Sequence, residues 1–210
     1  MTLPDDLSGG YARFREGRLA TDGERYRTLA REGQKPRTMV IACADSRAAP
    51  ETIFDAGPGE LFVMRNVANL VPPDEPNGGE NATAAAIEFA IAGLRVERIL
   101  VLGHARCGGI AASLNDHLEP LGPGDHIRQW IAPLRADRAG VDGIEDATER
   151  QTAAERRAIR GSIERLRAFP QVRDAEREGR LSILGAWFDI ETGDLLALDE
   201  TSGAFEPVVG

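Results

Sequence analysis

The stretch "GHARCGG" (103–109) sets one of only three histidines in the chain three residues before one of only two cysteines. The other cysteine lies in "RTMVIACADSR" (37–47), where Asp45 and Arg47 follow Cys43 at two-residue intervals. Thiolates and an imidazole are zinc ligands, at about 2.3 Å and 2.0–2.1 Å, and three protein ligands leave one tetrahedral position open for reaction. Cys43, His104 and Cys107 are therefore the candidate ligands. In extended backbone Cys43, Asp45 and Arg47 point to one side. A carboxylate there either becomes a fourth ligand or accepts a hydrogen bond from a metal-bound water. A bidentate pair with Arg47 decides between these, because it holds Asp45 ionised, oriented and off the metal.

Such a site needs two remote segments to meet. "TMVIAC" (38–43) and "RILVLG" (98–103) are apolar runs of strand length, and "ELFVMRNVANLV" (60–71) reads as a third strand with its exit. A Pro/Gly/Asn loop (72–81) precedes "ATAAAIEFAIAGL" (82–94), a helix with a nearly continuous apolar face. The strand–helix–strand order predicts a parallel sheet with helical crossovers, whose strands end on one side, where ligands bind. "AAERRAIRGSIERLRAF" (153–169) reads as an amphipathic helix with Ile159, Ile163 and Leu166 inward. Two strands follow, at 181–190 and 194–200; loop and helix do not separate over 115–152. His117 and His126 lie in polar surroundings and read as surface residues, and "NAT" (81–83) as a helix start.

Composition narrows the class. With 42% hydrophobic and 28% charged residues the 210-residue chain reads as one globular domain, an N-terminal helical arm (1–33) and a core (34–210). A formal charge of -9 argues against a nucleic-acid surface. No apolar run approaches the roughly 18 residues of a membrane span, and the polar N-terminus has no signal-type segment, so a cytoplasmic location is expected. Two cysteines in such a chain are free thiols or ligands rather than a disulfide scaffold.

The paired C-x-D-x-R and H-x-x-C motifs, with "QKPRTMVIACADSRAAPETIFDAGPGELFVMRNVANLVPP", "ATAAAIEFAI", "ERILVLGHARCGGI", "SIERLRAFPQV" and "GAWFDIETGDLLALD", closely resemble a β-class carbonic anhydrase. The resemblance implies one Zn²⁺ per chain on Cys43, His104 and Cys107, with Asp45–Arg47 as a dyad orienting zinc-bound hydroxide for attack on CO₂ to give bicarbonate. It implies a mostly parallel four-stranded sheet with an added edge strand, flanked by helices, and a homodimer or dimer of dimers joined by the N-terminal helices. The family's substrate pocket, partly across the dimer interface, maps to Gln34, Phe62, Val67 and Phe89, with the Gly108 amide as an oxygen donor. Phe89 stands where a tyrosine is usual, which bears on rate rather than on reaction. One branch binds a regulatory bicarbonate through a Trp, an Arg and a Tyr; this sequence has Val40, Arg65 and Phe188 at those places, so two of the three are lost. No such pocket is expected, and Asp45 is expected to stay on Arg47. Three rival readings remain: a CS₂ or COS hydrolase on the same scaffold, a non-catalytic zinc module, and thiol redox chemistry through Cys43 and Cys107.

Overall fold

The computed structural model describes residues 2–75, 81–138 and 140–209. Part of the loop read at 72–81, residues 76–80, lies outside them. Two N-terminal helices, α1 (Asp5–Glu16) and α2 (Arg18–Glu32), lead into β1 (Thr38–Cys43), the single turn α3 (Pro50–Ile53), β2 (Leu61–Asn66) and a 3-10 turn at Val67–Asn69. Helix α4 (Ala82–Glu88) runs on as a wider π turn, Phe89–Leu94, to β3 (Arg98–His104) and α5 (Gly108–Leu114). Then come α6 (His126–Trp130), α7 (Ala132–Asp137), the long α8 (Ala147–Ala168), α9 (Pro170–Arg177), β4 (Ser182–Phe188), β5 (Leu195–Leu198) and β6 (Phe205–Pro207). Among the described residues, the unresolved reading of 115–152 thus becomes two short helices, connecting loops and the first turn of α8.

Strand order is β2-β1-β3-β4-β5-β6. The first four strands run parallel, and β5 and β6 add antiparallel. This is the mostly parallel, helix-flanked sheet expected, with one correction: a sixth strand lies beyond the fifth. Asp199 explains it, because its backbone N–H donates to Ala204 and its carboxylate accepts from Thr201 and Ser202, closing a hairpin with Gly203 at φ 73°. Three residues ending in proline carry no readable alternation, so turn chemistry decides that strand. A second correction concerns 82–94. Asn81 caps α4 by accepting from the Thr83 and Ala84 amides, but the helix widens at Phe89 and stops at Arg95, φ 56°.

Helix α8 is held by one side-chain cap and by packing. Asp146 accepts from the Thr148 and Glu149 amides, and Pro170 restarts the chain as α9. Its Ile159, Ile163 and Leu166 are fully or almost fully buried against Met39, Ile41, Ile99, Val101 and Ile183. The helix sits close because Gly103 and Gly185 present no side chain: a Cβ at Gly103 would lie 2.7 Å from Ile159 Cδ1. Gly103→Ala is expected to cost about 1–3 kcal/mol by overpacking, read as a lower urea midpoint with unchanged slope.

Candidate metal centre

Cys43 is the last residue of β1 and His104 the last of β3, and these strands are neighbours in parallel register, Ala42 opposite Leu102. The two side chains therefore leave the sheet at one edge. Arg106, in the left-handed region at φ 55°, turns the chain back so that Cys107 enters the same space as the residue capping α5. The two Sγ atoms stand 3.9 Å apart, and the three candidate donor atoms lie within 4.8 Å of one another. Two sulfurs on one tetrahedral zinc would be about 3.8 Å apart, from the usual bond length. His104 Nδ1 donates to the Ala105 carbonyl at 2.8 Å, so Nε2 carries the lone pair; it is buried and has no partner among the described residues. An orphaned imidazole nitrogen facing two sulfurs is what a zinc ligand set leaves behind without its ion, and the donors fit that metal.

The sulfurs are electrostatically prepared. The hydrogen bond from Cys107 holds the Cys43 thiol down to about 4, helped by His104 and by the Asp45 and Ala68 amides, while Cys107 is correspondingly pushed up. The Gly109 and Ile110 amides face Cys107.

Asp45 stands at the rim. Arg47 Nε donates to its Oδ1 at 2.9 Å and Nη2 to its Oδ2 at 2.7 Å, and the Arg47 amide adds a third bond at 2.9 Å. The Arg47 guanidinium is the main reason that the Asp45 carboxyl lies well below the usual carboxylate range. Asp45 Oδ2 is 3.9 Å from His104 Nε2, so it borders the metal position while both its oxygens face arginine. Arg47 also reaches the Arg106 carbonyl, tying the two loops together. From β2, Arg65 donates to the carbonyls of Cys43 and Asp45 at 2.9 and 2.6 Å and fixes the exit from β1.

The carbonic anhydrase family model matches residues 38–195. A chloroplastic β-carbonic anhydrase 5 of Arabidopsis thaliana is 35% identical over 88% of this chain, which spans 61% of that relative's length. A carbonic anhydrase of Pseudomonas aeruginosa is 35% identical over 95% of this chain and 90% of its own. The solved β-carbonic anhydrase CcaA superposes with a TM-score of 0.89 at 29% identity, covering 97% of this chain and 98% of that one. This chain belongs to the β-carbonic anhydrase family. One of two tetrameric β-carbonic anhydrases from Sordaria macrospora also matches, with a TM-score of 0.80 and 34% identity over 92% of this chain and 94% of that one.

Within one carbonic anhydrase chain the expected pocket residues divide into two groups. Val67 packs with Cys43 and Cys107, and Gly108 opens α5 beside them. Phe62 instead pairs in register with Met39, four residues before Cys43, or about 13 Å back along the strand. There it meets Phe89, ring centroids 5.8 Å apart, and Phe89 is 52% exposed. Gln34 is exposed just ahead of β1. Val40 is buried against the sheet, with Phe188 partly buried in the same cluster.

Three residues around Cys107 escaped the sequence reading. Glu155, 2% exposed, accepts from the Cys107 amide, from Gln151 and from the Trp187 indole. Burial pushes its carboxyl up. The signal was present: Glu155 lies four residues before Ile159, on the inward stripe of α8, where a lone charge needs a purpose. Cys43→Ser is expected to strip the centre of metal, because one hard hydroxyl replaces a thiolate; metal analysis of the purified variant against the parent checks this.

Proposed function

We propose that this chain catalyses the reversible hydration of CO₂ to bicarbonate and a proton, with one Zn²⁺ held by Cys43, His104 and Cys107. The observation that carries the reading is the open, buried Cys–His–Cys donor set bordered by a carboxylate that arginine keeps to itself. A bound zinc supplies acidification of a water, bringing its pKa towards neutrality.

The protein's own residues do the rest. Asp45 accepts a hydrogen bond from the reacting water and orients its lone pair, and Arg47 keeps that carboxylate ionised and away from the fourth ligand position. A salt bridge this well formed leaves Asp45 an acceptor across the neutral range. Val67 provides an apolar wall that suits a small neutral molecule, next to a cleft of about 430 Å³ that also takes in Met64, Asn66 and Trp130. Trp130 donates its indole N–H to the Val67 carbonyl at 2.8 Å and so fixes that wall. The Gly108 amide, at the start of α5, is the donor for a product oxygen.

The site is completed by a second copy of the chain. No residue of α1 is buried, and Leu3, Leu7 and Tyr11 are all more than half exposed. The sheet face opposite α8 carries Leu184 at 44% exposure, with Leu100, Phe188 and Leu195 only partly covered. The exposed apolar side chains of this charged N-terminal segment and an apolar sheet face without a cover fit each other across two chains. Exchange of residues 1–33 in this way gives the exposed Phe89, its neighbour Phe62 and Gln34 a partner's centre to border. Tetrameric relatives agree with assembly. No helix among the described residues is long and apolar enough to cross a membrane, and we assign the enzyme to the cytoplasm, although the relatives include a chloroplastic form.

Stopped-flow CO₂ hydration at about pH 8.5, above the expected zinc-water pKa, tests the function. Hydration is expected to scale with zinc content and to vanish on chelation; a zinc-loaded protein without hydration would move the reading to a CS₂ or COS hydrolase or a silent zinc module. Asp45→Asn is expected to keep zinc and to lose roughly a hundredfold in kcat. Deleting residues 1–17 is expected to lower the solution mass measured by light scattering, and an unchanged mass would remove the arm from the interface.

A further inference from the structure

Cys107 presents a backbone problem that its thiolate does not solve. As the residue capping α5, its N–H lies outside the helix's own hydrogen bonding, and the residue is buried. That N–H has one partner, Glu155 Oε1, at 2.9 Å. One turn earlier on the same face of α8, Gln151 donates through Nε2 to the Cys107 carbonyl at 3.3 Å and to Glu155 Oε1 at 3.1 Å. Both peptide groups of the ligand residue are therefore gripped by one helix. The other carboxylate oxygen, Oε2, accepts from Trp187 Nε1 at 3.0 Å. Trp187 lies on β4 opposite Gly103, the residue before His104, and is covered by the Arg156 guanidinium 4.6 Å from its ring centroid.

We propose that Glu155 is a positioning residue for the metal ligand Cys107: a two-sided acceptor that holds the Cys107 backbone to α8 through one oxygen while the other satisfies the Trp187 indole of β4, and so fixes the direction in which Sγ is presented. This rests on the reading of the centre as a zinc site. The two sides matter because Cys107 and Trp187 are both donors that approach opposite oxygens. A carboxylate satisfies them together. An amide at the same place has one oxygen, so it leaves either the Cys107 N–H or the Trp187 N–H facing another donor. Residues that orient a ligand from outside the metal's own shell commonly account for a 10–100-fold change in metal affinity.

The chemistry predicts a specific pattern of rescue. In E155Q the amide oxygen is contested between two N–H groups. In E155Q/W187F the indole N–H is gone, and the amide oxygen is free to turn to Cys107. W187F alone leaves Glu155 Oε1 on Cys107 and keeps the lock. A residue that merely filled space would show no such dependence, because losing the indole would add to the damage.

The experiment loads parent, E155Q, W187F and E155Q/W187F with zinc and follows transfer of zinc to a chromophoric chelator at neutral pH. The ligand-field spectra of the cobalt(II)-substituted proteins are recorded beside it, with thermal melts of the zinc-free forms as the folding control. E155Q is expected to release zinc roughly 10–100-fold faster than the parent, with a shifted cobalt spectrum and a zinc-free melt close to the parent's. E155Q/W187F is expected to recover a slower release than E155Q, and W187F to stay near the parent. If E155Q releases zinc at the parent's rate, or if adding W187F hastens its release, the positioning role is overturned. A parent that takes up no zinc would instead overturn the reading of the centre itself.

Discussion

Parallel pairing of β1 with β3 in one register is the constraint on which the site depends. With Ala42 opposite Leu102, Cys43 and His104 are the last residues of their strands, one register step apart, at the sheet's carboxyl edge. A slip of one residue in either strand would turn one ligand to the opposite face. The register is kept by what lies on it. On the α8 side, Ile159 presses on the bare backbone at Gly103 and Gly185, so the helix, β3 and β4 can meet in only one way. At the far edge, Arg65 holds the carbonyls of Cys43 and Asp45 from the neighbouring strand. Core packing and ligand placement are the same interactions seen from two ends of the strands.

The centre also has to solve a charge problem. Two thiolates nearly cancel a divalent ion, which weakens its pull on a water compared with an all-imidazole site. The fold counters this with amide N–H groups directed at the sulfurs, Asp45 and Ala68 on Cys43, Gly109 and Ile110 on Cys107. Each drains charge from a thiolate without adding a ligand. Beside Cys43, Ala68 and Asn69 adopt left-handed backbone, φ 66° and 45°, in a turn that α5 approaches closely at Gly109. Strain in non-glycine residues next to the donor set is where such a cost is expected to be tolerated. Asp45 would undo the arrangement by joining the metal, and its bidentate pairing with Arg47 is what opposes that.

Much of this was legible from residue types alone, and the reasons differ by part. Strands β1 and β3 are short apolar runs ending in rare, chemically loaded residues, so both the sheet and the ligand triad could be read together. Strand β6 could not, since its pairing is dictated by the Asp199 turn rather than by its own three residues. The helix over 82–94 was readable as helix, but its widening to a π turn at Phe89 leaves no mark in the pattern of residue types. Glu155 went unread for a different reason. Periodicity searches look for apolar residues on the inward stripe, and a buried carboxylate there is legible only once its partners, Cys107 and Trp187, are known to be near.

The split among the pocket residues follows from the same strand geometry. Val67, just past the carboxyl end of β2, packs with the donor set, while Phe62 near its amino end cannot, because a strand is straight and four residues are about 13 Å. No rearrangement inside one chain closes that gap without breaking the β1–β2 register. The half-exposed Phe89 packed on Phe62 at that distance, beside an N-terminal helix with no fully buried residue, is what the proposed pairing of two chains puts to use. A second copy related by a twofold axis is the economical arrangement, since each chain then lends the aromatic wall it cannot use and receives the one it lacks.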